Sequence, residues 1–156
     1  MSYEELLIEA DNKGIIVKEA LLKSGDGHCK GHRIAIRQDI PTLKKKADVL
    51  AEELGHYYTT VGDIIDQNSI EARKQEREAR LWAYNKQIGL KGIVEAFEHH
   101  CENQYEIAEY LDVSEDTLAE ALEYYRQIYG TGVWVENYHI QFEPYLQVGQ
   151  ILLFNR

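Results

Sequence analysis

The sequence predicts an α+β fold, ordered as helix, small sheet, long helices, helical lobe and strand-rich tail. Three observations carry that expectation. Apolar residues recur at helical spacing in several separate stretches. Between the first two of them lie a β-branched run, Ile15–Val17, and an alternating run, His32–Arg37. Glycine and proline punctuate the chain at the joints. Separate helical and strand-rich stretches mark an α+β pattern. With 156 residues and 44% hydrophobic content, the chain can build one domain, or one with a small helical appendage.

Leu6, Leu7 and Ala10 share one face of a first helix, Tyr3–Asn12, which Gly14 ends. Ile15–Val17 reads as a short strand, and Ser24-Gly25-Asp26-Gly27 as a turn. Ile34–Arg37 reads as a half-buried strand. Ile40-Pro41-Thr42 breaks the chain, and Thr42 is suited to cap a helix from Leu43 to about Tyr58, with Gly62 closing the region. Ser69 is suited to cap a second long helix, Ile70 to about Ile88, ended by Gly89. Shorter helices follow over Ile93–His100, Gln104–Leu111 and Glu115–Tyr129. The tail Val133–Phe154 reads as two short strands around Glu143-Pro144.

The formal charge is −10 and the pI about 5.0. Nucleic-acid affinity rests mainly on Lys and Arg neutralising phosphates, so direct DNA binding is not expected. Basic partners or a charged pocket suit the chain better. There is no apolar run of about 18 residues, so no membrane partner is expected. The acidic, amphipathic start lacks the basic and apolar regions of a secretory signal, and a cytoplasmic location is expected. Cys29 and Cys101 lie far apart, which argues against a disulfide framework or a thiolate zinc site.

The segment Glu52-Glu53-Leu54-Gly55-His56 carries the chemistry. A zinc peptidase helix offers two His four residues apart on one face, with Glu after the first. That Glu serves as general base towards a water at the metal. With His56 as the second ligand, the first-ligand position falls on Glu52 and the base on Glu53. The pattern therefore holds except that Glu replaces the first His. Zinc accepts a carboxylate oxygen at a distance close to that of imidazole nitrogen. Two carboxylates would polarise water less and make manganese or iron competitive with zinc. A third ligand is expected from the next helix. Ala72, Glu76, Ala79 and Ala83 share one face there, three small residues around one carboxylate. A lone Glu on such a face is costly to bury unless paired or ligating, which singles out Glu76. Without a metal, carboxylates gathered near one His should raise at least one pKa.

Two stretches, Leu50–Gly62 (LAEELGHYYTTVG) and Gln75–Tyr84 (QEREARLWAY), together resemble the ImmA/IrrE family of metallopeptidases, its phage and mobile-element branch in particular. The similarity runs from the N-terminal helix through Ile88 and more loosely into the tail. The resemblance implies a zincin-like metallopeptidase core over residues 1–90. Residues 91–156 would form a helical lobe with short strands, packed on the core. It implies metal ligands at Glu52, His56 and Glu76, with Ala79 following, and a catalytic Glu53. It implies a cytoplasmic peptidase whose protein substrate is often a helix-turn-helix repressor. Substrate would lie along an edge strand beside the metal helix, for which Ile34–Arg37 is the candidate. The departure at Glu52 leaves a second outcome open, an antirepressor that binds a repressor without cleaving it.

Other clusters compete less well. His28, Cys29 and His32 form a compact group, but on a Gly-rich turn that is usually solvated. His32 is a further candidate for the nitrogen ligand missing at Glu52. His99-His100-Cys101 ends a short helix, where surface or capping roles are expected. Residues Tyr105–Tyr124 resemble a helix-turn-helix with Ser114 capping the second helix. That helix would present Glu115, Asp116, Glu120 and Glu123 to phosphates, so a packing or protein-gripping lobe is the better reading.

Overall fold

The computed structural model describes residues 1–60 and 69–152. Gly62, and the end of the predicted tail at Phe154, lie outside the described residues. The chain divides into two compact units, Met1–Gln87 and Ile88–Arg156.

The first unit begins with α1 (Tyr3–Asn12), capped by a reciprocal Ser2–Glu5 pair: Ser2 Oγ accepts the Glu5 N–H, and a Glu5 carboxylate oxygen accepts the Ser2 N–H. A sheet follows with β1 (Ile16–Ala20), β2 (Gly27–Lys30) and β3 (Arg33–Arg37), in spatial order β1-β3-β2. β3 pairs parallel with β1 and antiparallel with β2. Two expectations need correction here. Ile34–Arg37 is the central strand and not an edge. Gly27–Lys30, expected as part of a solvated turn, is a strand and forms one edge. Its four residues, with no apolar run, lack the strand signature. Pairing with β3 and packing against a helix hold them extended.

α2 (Leu43–Thr59) starts at Thr42, whose hydroxyl accepts the Lys45 N–H at 3.2 Å. Its buried stripe is Ala47, Leu50, Ala51, Leu54 and Gly55. That stripe joins Leu6, Ala10, Ile15, Ile34, Ile36 and Ile40 in one core, so α1 and the inward face of the sheet hold α2 in place. α3 (Ile70–Gln87) is capped as expected, Ser69 Oγ accepting the Ala72 N–H.

α2 and α3 run antiparallel. Glu76 lies by His56, Ala79 by Gly55, Arg80 by Glu52 and Gln87 by Asp48. The approach is tightest at Gly55, where an added Cβ would stand 2.2 Å from the Ala79 carbonyl oxygen. The small-residue face of α3 thus does what its composition suggests. Ala79 and Ala83 are buried and the helices touch backbone to backbone. Lys86 pairs with Glu9 at 2.6 Å and Gln87 donates to Asp48 at 3.1 Å, locking the far end of α3 to α1 and α2.

The second unit holds α4 (Gly89–Glu98), α5 (Gln104–Leu111) and α6 (Glu115–Tyr129). Ser114 caps α6, and Ile93, Ala96, Leu118, Ala121, Tyr125 and Ile140 are buried within the unit. Its sheet is antiparallel, β4 (Gly132–Val135), β5 (Tyr138–Gln141) and β6 (Gln147–Gln150). The tail therefore carries three described strands where two are expected. β4 and β5 are joined by only Glu136 and Asn137, and Glu136 takes a left-handed φ of 53°. With no glycine at that turn, the hairpin leaves no ordinary signal in the sequence.

Candidate metal centre

α2 presents Glu52 and His56 one helical turn apart, and α3 brings Glu76 across to them. One ligand atom from each of the three lies within 4.8 Å of the others. His56 Nε2 and Glu76 Oε1 are 3.3 Å apart. Two ligands on a tetrahedral zinc sit about 3.4 Å apart. The residues present therefore fit a divalent ion once their side chains draw together. Two carboxylates and a neutral imidazole would also balance its charge.

Glu76 reaches this position by proximity and not by burial. Its side chain is 53% exposed, so the expectation that it is an isolated buried carboxylate is corrected. The small residues around it bring α3 close to α2, and its own length carries the carboxylate to the rim.

Glu53 points to a different neighbour. β2 crosses it so closely that a Cβ on Gly27 would lie 2.8 Å from Glu53 Cγ and Oε1, and 2.9 Å from Val49 Cγ1. Only glycine fits between strand and helix there. The strand backbone removes water from that side of the carboxyl. Its pKa rises to about 7, by burial first and then by the negative charges of Glu52 and Glu76. The expected carboxylate repulsion is present, with desolvation the larger cause. Cys29, also on the inward face of β2, has its thiol pushed up by burial and by the Glu53 charge.

Arg80 completes the rim, a residue with no part in the sequence-based expectation. Its Nε lies 3.5 Å from Glu52 Oε1. The signal is its position four residues after Glu76, one further turn along the same helix. His32 does not join this group. It sits in the β2–β3 turn, and its Nδ1 pairs with the Tyr57 hydroxyl at 2.9 Å. The His28, Cys29, His32 group is split as well, because strand alternation turns His28 outward and Cys29 inward. His99 is the C-cap of α4 and stacks on Tyr110, and Cys101 Sγ donates to the Glu106 carbonyl. Among the described residues no other group of three potential ligands comes together.

Two potential ligands one turn apart, a third from the antiparallel neighbour and a half-buried carboxyl beside them are compatible with a metallopeptidase-type domain. The chain belongs to the Peptidase_M78 family: the family model of the IrrE N-terminal-like domain matches residues 10–123. The match runs past Ile88 and into α6, so it includes helices of both units. No curated protein and no solved structure matches the chain.

Proposed function

We propose that the chain is a metal-dependent endopeptidase with a zincin-like core, acting in the cytoplasm on a helix-turn-helix repressor of a phage or integrated element. The convergence of Glu52, His56 and Glu76 supports this reading most directly. These three hold a divalent ion, zinc or the harder manganese or iron. Such an ion supplies a Lewis acid that acidifies water and polarises the scissile carbonyl.

The chain's own residues do the rest. Glu53 takes the proton from the attacking water and passes it to the leaving amine nitrogen. Its raised pKa suits both halves of that exchange near neutrality. β2 shields Glu53 on one side, and as an edge beside α2 it offers free backbone groups to an extended substrate. Arg80 restrains the Glu52 carboxylate at the rim.

The Glu52–Arg80 pair also favours a second reading. A carboxylate shared with a guanidinium is a weaker donor than the imidazole it replaces. A chain whose centre holds metal too weakly to cleave would act as an antirepressor by binding alone. Incubating metal-loaded protein with purified helix-turn-helix repressors of phages and integrated elements separates the two. Cleavage abolished by chelator and by Glu53→Gln supports the peptidase. A stable complex with uncut repressor supports the antirepressor.

A further inference from the structure

The outward face of the first sheet carries a feature that the metal centre does not use. Strand alternation sends Val17, Cys29, Ile34 and Ile36 toward the helices. Ile16, Lys18, His28, Lys30, Arg33 and Ala35 face outward. The register sets Arg33 between Ile16 and Lys30, and Ala35 between Lys18 and His28. Because Ala35 is short, the face is hollowed at its centre into a depression of about 350 Å³.

The charge around this hollow is of one sign. Arg37, at the far end of the same face, is held by Asp26 at 2.9 Å and Asp39 at 3.0 Å. Among the described residues no carboxylate pairs with Lys18, Lys30 or Arg33. From Lys13 to Arg37 there are six Lys and Arg against Glu19 and Asp26, a net +4. With −10 for the whole chain, the remainder carries −14. Lys18, Lys30 and Arg33 thus set three cations on one face of an acidic protein.

We propose that this face is a docking surface for an acidic, partly apolar segment of a partner polypeptide. Lys18, Lys30 and Arg33 offer carboxylates charge-assisted hydrogen bonds. Half-exposed Ile16 and the Ala35 floor seat an aliphatic side chain between them. A nucleic acid fits less well. Three cations displace few counterions, and the acidic remainder repels a long polyanion. The face lies across the sheet from α2, and it uses outward side chains where the catalytic reading uses the backbone edge of β2.

Fluorescence anisotropy on the full chain tests the proposal, using a short labelled peptide of Asp, Glu and Leu and its Asn, Gln and Leu counterpart. The acidic peptide binds, the amide peptide binds at least about tenfold more weakly, and added salt weakens the complex. Lys18→Glu with Arg33→Glu abolishes binding, whereas Lys91→Glu, an exposed charge in the second unit, leaves it unchanged. Ala35→Gln fills the hollow at constant charge and weakens binding about tenfold, which keeps the test decisive if the double reversal fails to fold. The proposal is overturned if the two peptides bind alike or if Lys91→Glu costs as much as the double reversal. It is also overturned if a DNA duplex, or vesicles of phosphatidylserine and phosphatidylcholine, bind more tightly than the acidic peptide.

Discussion

At the scale of single residues, the proposed chemistry turns on three carboxylates and one imidazole with separate tasks. Glu53 is the one whose environment sets its proton. Its folded pKa, about 7, lies above the ordinary 4.5. A carboxyl raised in this way favours the fold while it is protonated, and that contribution is lost as pH climbs from about 4.5 through 7. Glu53→Gln removes the penalty of a buried charge. Urea denaturation of the metal-free variant should show a stability gain at pH 8 that shrinks toward pH 5. Every tenfold change in proton affinity between the folded and unfolded chain is worth about 1.4 kcal/mol. Equal effects at both pH values would show that Glu53 is not desolvated. The same variant should retain metal and lose roughly 10²- to 10⁴-fold of peptidase activity. Glu52→His tests the donor argument from the other direction. It replaces a carboxylate tied to Arg80 with imidazole, and zinc affinity by competition titration should rise about tenfold or more. An unchanged affinity would mean that position 52 does not ligate.

At the scale of elements, the α2–α3 contact builds the centre. Gly55 against Ala79 is its closest point, and it lies next to His56 in the chain. Gly55→Ala must separate the helices, at a cost of about 1–3 kcal/mol. It should also weaken metal binding, because Glu76 is carried away from His56. Denaturation and metal titration on that one variant measure both, and a stability loss with unaltered metal affinity would contradict the coupling. Helical periodicity explains why the centre is legible in the sequence. Glu52 and His56 fall one turn apart, and the Ala72, Ala79 and Ala83 stripe marks the side on which Glu76 sits. β2 is not legible. Gly27 to Lys30 has no strand signature, and its conformation depends on pairing with β3 across a two-residue turn and on packing against Glu53, which is distant in sequence. The β4–β5 hairpin is hidden for a similar reason, since a non-glycine residue, Glu136, takes the left-handed turn position. Local chemistry can be read from spacing, whereas the order of strands requires the tertiary pairing.

At the scale of the whole molecule, binding and stability are linked. An ion that binds the fold and not the unfolded chain stabilises it by about 2.7 kcal/mol at a hundredfold excess over Kd. Calorimetry with and without chelator should therefore show a metal-dependent transition. His56→Ala should remove that dependence while leaving the chelated protein's transition nearly in place. The charge distribution belongs to this scale too, with an acidic chain that sets Lys18, Lys30 and Arg33 together on one sheet face away from α2. The family match runs through residues 10–123. Whether this chain holds a metal is therefore the question on which the proposed peptidase chemistry depends. The direct measurement is elemental analysis of purified protein after loading with zinc, manganese or iron, beside His56→Ala and Glu76→Ala prepared identically. Roughly one ion per chain is expected in the unmodified protein, with a marked loss in both variants. Metal no higher than in His56→Ala, at saturating concentrations of all three ions, would contradict a metal centre at Glu52, His56 and Glu76.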